Sequence, residues 1–283
     1  MTKITADVAV VGLGPAGLAA CVAAGENDLK VVGFEKAAMC GGAANMGGGP
    51  FGVESRVQKA MMSELTKEKV FEEFMDYVHW NCDARLVRDY FWQCGDTIDW
   101  LEEMGVEFGA VGKFYAGSWQ TWHMVTPEGG GKPGGMRAAS TMNKRLLERA
   151  VELGADVHTN TAVKKIIKTD DRITGLIAQK ENGEEIEVEA KAVIIATGGF
   201  GSNPELIVKY RPDLEGYVST NAPTITGDAI AFMEAVNADF VDLDQIQIHP
   251  TVVQKDGSLI SESLRGDGAI LINSEGKRFC NEI

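Results

Sequence analysis

The residues that build disulfide and metal frameworks are scarce in this sequence. Its five cysteines, Cys21, Cys40, Cys82, Cys94 and Cys280, are odd in number, and no two are spaced as C-x-x-C. That excludes a paired disulfide framework and a thiolate metal knuckle. The four histidines (His79, His123, His158 and His249) form no H-E-x-x-H or comparable pattern, so no structural metal is expected. Positive charge is short as well: 27 Lys and Arg stand against 41 Asp and Glu, a net charge of −14. This sign excludes nucleic acid and anionic membrane as natural partners and suits a soluble chain held apart from others by self-repulsion. A long uninterrupted apolar run is missing too. Residues 8–25 carry no charge and approach the length of a membrane span. Asp7 precedes them, however, and Gly12, Gly14, Pro15 and Gly17 interrupt them. Only Lys3 is basic near the start, so a signal peptide fits no better. No membrane insertion and a cytoplasmic location are the corresponding expectations.

Glycine is what the sequence has in excess, at 33 residues, and the glycines cluster. Clustered glycine marks backbone that bends sharply or approaches a ligand closely. With 283 residues, 45% of them apolar, the chain can build one large domain, or one domain and part of a second.

The first cluster lies in "ADVAVVGLGPAGLAACVAA". A β-type run, Val8 to Val11, leads into Gly12-Leu13-Gly14-Pro15-Ala16-Gly17 and then into a helical Ala/Leu pattern. This is G-x-G-x-x-G after a strand and opening a helix, the context that a dinucleotide cradle needs. Gly12 permits the tight turn, Gly14 leaves bare backbone for a pyrophosphate, and Gly17 lets helix and strand pack closely. The helix N-terminus adds unpaired N–H groups and partial positive charge. A second strand, "LKVVGFE", ends at Glu35, an acid placed to accept hydrogen bonds from ribose hydroxyls and to repel a 2′-phosphate. The following loop, Glu35 to Gly52, is a run of glycine and alanine. It suits backbone lying alongside a large flat group such as an isoalloxazine, and equally a flexible loop, so FAD and NAD both stay open on this ground.

Residues 54–105 carry apolar residues at three- and four-residue spacing and predict helix, with Gly105 as a stop. Tyr77, Trp80, Tyr90, Phe91, Trp92 and Trp100 form an aromatic series that is expected to pack in the core. Residues 106–135 are glycine-rich and irregular, and His123 there suits a partly buried structural role. A helix is predicted over about 136–153. It is followed by β-type segments "ADVHTNTAVKKII", "RITGLIAQK", "EEIEVEA" and "KAVIIATGG". Val193 to Ala196 is apolar throughout, as expected of a parallel strand buried on both faces. Thr197, Gly198 and Gly199 then stand at a carboxyl edge, where open α/β sheets bind ligands. Asp228 in "TGDAIAFMEAVNA" is either a helix N-cap or an acceptor for a ribityl chain.

"QIQIHPT" sets His249 before a proline, hence in extended or turn geometry. "SESLRGDGAILINSEGKRFCNEI" adds Ser261, Glu262 and Arg265. Singly, these residues suit a capped strand end, a solvated ion pair and a hairpin.

In this order, G-x-G-x-A-G with a distal Glu, the GG loop, ATGGF, TGDA, HPT, SE-x-x-RG-x-GA and G-x-RF-x-NE resemble the fumarate reductase and succinate dehydrogenase flavoprotein family, closest to its soluble flavocytochrome c-type members. The resemblance spans essentially the whole chain. It implies an α/β fold in which residues 1–243 form a Rossmann-like FAD-binding domain, a parallel sheet with helices and a β-meander insertion. Residues 244–283 would begin a substrate-capping domain. FAD is implied as cofactor, held by Gly12, Gly14, Pro15, Ala16 and Gly17, by Glu35 and Lys36, and by Gly42, Ala43 and Ala44. The implied set continues with Gly48, Gly49, Val163, Thr197, Gly198 and Asp228. The implied reaction is hydride transfer from flavin N5 to the activated C=C bond of an α,β-unsaturated carboxylate, with fumarate as the archetype. His249 and Ser261 would hold the substrate carboxylate, Ser261 keeping the hydroxyl of the Thr usual in the family. Glu262 and Arg265 would relay a proton to an arginine acting as general acid. The alternatives are a related flavin dehydrogenase, of ketosteroids for instance, and a non-catalytic FAD-binding module.

Two departures qualify the resemblance. The family's acid arginine follows "RF-x-NE" as N-E-[IL]-x-x-R-D, whereas the sequence stops at Ile283. The expectation is a truncated chain that is inactive by itself. The loop "GGAANMGGG" has no histidine for a flavin bond, so FAD is expected to bind non-covalently. With no heme motif and no iron–sulfur cysteines, electrons are expected from an external donor.

Overall fold

The computed structural model describes residues 2–113 and 118–282; Ile283 lies outside the described residues. In chain order the elements begin with strand β1 (Thr2–Val11), helix α1 (Pro15–Gly25) and strand β2 (Val31–Phe34). Helices α2 (Arg56–Ala60), α3 (Lys67–Tyr77) and α4 (Ala84–Glu103) follow, then strands β3 (Phe108–Gly112) and β4 (Trp122–Val125). Next come helix α5 (Ala139–Glu152) and strands β5 (Asp156–His158), β6 (Thr161–Thr169), β7 (Arg172–Lys180) and β8 (Glu185–Ile195). Helices α6 (Pro204–Tyr210), α7 (Asp228–Ala235) and α8 (Ser263–Gly266) complete the set used below. They divide into two compact units, Met1–Asn45 with Asn143–Ser258, and Met46–Met142 with Leu259–Ile283.

The first unit is built on a six-stranded sheet in the order β5-β2-β1-β8-β7-β6. β5, β2, β1 and β8 run parallel, while β6, β7 and β8 form an antiparallel meander. The sheet is the expected α/β arrangement with its meander insertion. β8 belongs to both halves, and this differs from the sequence reading: "EEIEVEA" and "KAVIIATGG" form one continuous strand. Its register against β1 keeps one offset from Thr2↔Ile186 to Val11↔Ile195, so the two segments continue as a single strand. A second difference concerns burial. Val8–Val11 and all of β2 are buried, as central parallel strands should be. Ile194, by contrast, is 37% exposed, and Val193 is only partly buried. Beyond Glu189, β8 has outrun its pairing with β7. Conversely, "ADVHTNTAVKKII" is two strands, broken at Asn160, which adopts φ 50°.

In the second unit the helical pattern of residues 54–105 resolves into three helices, each started by a side-chain cap. Ser55 forms a capping box with Gln58, Thr66 accepts from the Lys69 N–H, and Asp83 accepts from the Arg85 and Leu86 N–H groups. Gly105, at φ 81°, ends the run as predicted. The aromatic series is not a core. Phe91 is 5% exposed, but Tyr77 is 82%, Trp80 61% and Tyr90 52% exposed. The apolar stripe of α4 is supplied by Phe91, Cys94, Ile98 and Leu101, and their neighbours on the other faces meet solvent.

Candidate functional site: a dinucleotide cradle at the sheet edge

The glycine turn after β1 is shaped by close backbone approaches. Gly12 has φ 85°, and a Cβ there would lie 2.7 Å from the Ala196 carbonyl oxygen. A Cβ on Gly17 would stand 1.9 Å from the Gly12 carbonyl oxygen, so α1 packs onto β1 only because Gly17 is bare. Gly14 is different, since a Cβ there would meet nothing within 4 Å. It is the N-cap of α1, and no side chain caps the helix. The first-turn amides, which have no intrahelical acceptors, thus open onto free space.

That space is a cavity of about 300 Å³ wholly within the first unit, along the carboxyl ends of β1, β2 and β8. Gly12, Gly14, Pro15 and Ala16 line one part of it, Glu35 and Lys36 another, and Gly42, Ala43 and Ala44 a third. Val163, Thr197, Gly198 and Asp228 also line it. Gly17 serves from beneath. Gly48 and Gly49 fall in the second unit, where a Cβ would meet the Gly134 and the His123 carbonyl oxygens respectively.

Glu35 is 8% exposed, and its carboxylate is held by the backbone it serves. One oxygen accepts from the Leu13 N–H at 2.9 Å, the other from the Ala37 N–H at 2.8 Å. The acid at the tip of β2 therefore clamps the glycine turn itself. A carboxylate has about four acceptor positions, so the two bonds leave capacity for ribose hydroxyls. Its own backbone is fixed by bonds to the His158 carbonyl and from the Thr161 N–H, both 2.9 Å.

Lys36 Nζ donates to Thr226 Oγ1 at 2.6 Å and to both Asp228 oxygens, at 3.1 and 2.9 Å. Thr226 Oγ1 in turn donates to Asp228 Oδ1 at 2.7 Å. Asp228 is thus not the N-cap of α7; Gly227, at φ 84°, is. The negative charge of Asp228 is thus balanced by Lys36 at the cavity wall. Thr197 Oγ1 is buried without a hydrogen-bond partner. An orphaned hydroxyl, bare backbone at Gly14 and an uncapped helix start all fit a dinucleotide.

The candidate catalytic residues are divided between the units. His249, half-buried in the first, accepts from the Thr251 N–H through Nδ1 at 3.2 Å. Ser261 and Glu262 are exposed in the second, where Ser261 Oγ lies 2.8 Å from Ser263 Oγ. Glu262 is the N-cap of α8, and Arg265 sits in its last turn. Arg265 donates to the Glu282 carbonyl at 2.8 Å, and its Nε is buried without a partner. The Arg278 guanidinium, and after it the Leu271 N–H, hold the Glu282 carboxyl down to about 2. No group of His, Cys, Asp and Glu able to hold a metal occurs among the described residues.

His123 is fully buried in the second unit. Ser55 Oγ lies 2.7 Å from its Nε2, and the Thr121 carbonyl lies 3.2 Å from Nδ1. Because Thr121 offers only an acceptor, Nδ1 carries the proton, Ser55 donates to Nε2, and burial pushes the ring's pKa down. The structural reading of His123 holds. Sequence reasoning missed Thr161 and Thr226. Thr161 lines the cavity two positions before Val163 on β6, and the period of two in a strand would have found it.

Residues 7–283 match a family model described as FAD binding domain. The chain is 36% identical over 278 residues to an NADH:fumarate oxidoreductase of Klebsiella pneumoniae, covering 98% of this chain and 29% of that protein. It is 35% identical over 281 residues to a fumarate reductase (cytochrome) of Shewanella frigidimarina, covering 99% and 48% respectively. Among solved structures, the open conformation of a flavocytochrome c3 fumarate reductase aligns with TM-score 0.85 at 32% identity, over 99% of this chain and 49% of that one. The chain therefore spans less than half the length of these relatives.

Proposed function

Because the chain belongs to the FAD binding domain family, within the fumarate reductase and succinate dehydrogenase flavoproteins, we propose that the protein is an FAD-dependent oxidoreductase reducing an α,β-unsaturated carboxylate. FAD, when bound, supplies a hydride for an activated C=C bond. Glu35 accepts from the ribose, while Gly14 and the α1 amides receive the pyrophosphate. Thr197 Oγ1 gains the partner it lacks. The single observation carrying the cofactor half of this reading is the Glu35 carboxylate bonded to the Leu13 N–H, which ties the acid after β2 to the glycine turn.

At the substrate end, His249 and Ser261 are each proposed, on their own units, as a group able to hold a carboxylate on which negative charge develops. Glu262 and Arg265 pass a proton toward the reacting carbon. Residues 1–243 serve the cofactor and residues from 244 onward begin the cap. The electron donor is external, and the flavin is not covalently attached.

Two measurements test the proposal. Adding the chain to FAD should quench flavin fluorescence saturably. The whole protein should then oxidise reduced viologen anaerobically when given fumarate or a related enoate. Quenching without any enoate turnover by the whole protein would remove the carboxylate reading and leave the FAD site standing.

A further inference from the structure

Helix α5 carries one polar residue on its buried face. Ala139, Met142, Leu146 and Ala150 repeat at helical spacing and are 6% exposed or less, and Asn143 lies among them at 2%. Asn is a weak helix former, and a buried amide must find partners or cost stability. Asn143 finds them on one side only. Its Nδ2 donates to the Gly41 carbonyl at 3.3 Å and to Asn45 Oδ1 at 2.8 Å. Asn45 Nδ2 donates onward to the Cys40 carbonyl at 2.9 Å. The Asn143 Oδ1 atom is buried with no partner. The amide cannot be flipped to relieve it, because Gly41 presents a carbonyl, which takes only a donor.

These bonds anchor the start of a single 3-10 turn, Gly42–Met46, to helix α5. Gly41 and Gly42 adopt φ 108° and 52°, and the stretch from Gly41 to Ala44 has no side chain larger than methyl. A Cβ on Gly41 would lie 2.1 Å from Asn45 Oδ1, so the Asn45 amide fills the place a side chain would take. The Gly41 N–H bonds the Leu13 carbonyl at 2.7 Å, tying the stretch to the glycine turn. Gly42, Ala43 and Ala44 form one wall of the cavity. We propose that Asn143 and Asn45 form an amide latch that positions this wall, and that the latch sets how long the dinucleotide stays bound. Asn143 does not line the cavity; it is a positioning residue, and its role rests on the FAD reading above.

The test compares Asn143→Leu, Asn45→Ala and the double variant with the parent chain, in FAD affinity, FAD release rate and unfolding midpoint without FAD. Leu keeps the branching of Asn and abolishes the orphaned oxygen, while its larger methyl groups crowd the buried site, so the two effects oppose each other in the FAD-free midpoint. FAD should nevertheless bind roughly tenfold more weakly, with the loss in the release rate. The double variant should lose little more than either single one, because both break the same network. A lowered midpoint with unchanged FAD affinity would make Asn143 a purely structural residue and overturn the latch. Parent and variants binding FAD alike would also overturn it while leaving the FAD reading intact. A parent chain that binds no FAD overturns both.

Discussion

Neighbouring glycines in one turn do separate jobs, and the separation can be measured. Gly14→Ala places its Cβ in open space at φ −66°, a conformation that alanine adopts freely. The unfolding midpoint should therefore hardly move, while FAD affinity should fall tenfold or more, because the methyl would fill the space proposed for the pyrophosphate. Gly17→Ala drives its Cβ into the Gly12 carbonyl. It should cost about 2 kcal/mol or more in chemical denaturation, in the range of overpacked cores. Equal stability losses in the two variants would contradict the assignment. The turn geometry of Gly12, Gly14 and Gly17 and the place of Glu35 at the end of the next strand were legible in the sequence, because within one β–turn–α–β stretch spacing fixes geometry. That Glu35 also binds the Leu13 N–H was not legible, since this bond depends on β2 lying beside β1. The thiols give a second prediction. Burial pushes Cys21 up to about 12 and Cys40 up to about 11, and it also raises Cys94. A raised thiol pKa means less thiolate at any given pH. At pH 8 an aromatic disulfide reagent should modify exposed Cys82 and Cys280 quickly and the other three slowly. Rapid labelling of Cys21 at that pH would refute the packing of α1.

At the scale of elements, helix α2 shows how much a five-residue piece can depend on one side chain. Ser55 Oγ accepts from the Gln58 N–H at 3.1 Å and donates to His123 Nε2. Ser55→Ala removes a cap and orphans a buried ring nitrogen, so a loss of about 2 kcal/mol is expected in urea unfolding. Acid should act at the same place. With its folded-state pKa below 6.5, His123 stays neutral when folded while the unfolded ring takes up a proton. Stability is therefore whole above 6.5 and falls as the pH drops toward the folded value. His123→Gln should flatten that part of the stability–pH curve; an unchanged slope would exclude His123 as its source. Helices α3 and α4 were legible from three- and four-residue spacing. The joining of two β-type segments into β8 was not, because only the register against β1 shows that the strand continues. The exposed aromatics of α3 and α4 were misjudged for a related reason. Composition tells that a residue is apolar, and only its angle around the helix tells which way it faces.

At the scale of the whole molecule, the two units are each made of stretches distant in sequence. Among the described residues no helix is long and apolar enough to cross a membrane. Binding of FAD to the folded chain alone should raise its unfolding free energy by about 2.7 kcal/mol when free FAD is a hundred times its dissociation constant. Heating or acid should release all the yellow colour into the filtrate, since the loop from Gly41 to Gly49 offers no histidine for a covalent bond. Colour retained on the denatured polypeptide would contradict non-covalent attachment.

The sequence alone determined the dinucleotide turn, its acidic partner, the helices of the second unit and the family resemblance, because each is carried by residues close in the chain. Only the tertiary structure decided that Lys36 is paired with Asp228, that His249 falls in a different unit from Ser261, and that Asn143 reaches Gly41. The first and last of these join residues 192 and 102 positions apart and the second parts residues only 12 apart; local spacing holds no information about which segments packing brings together or divides.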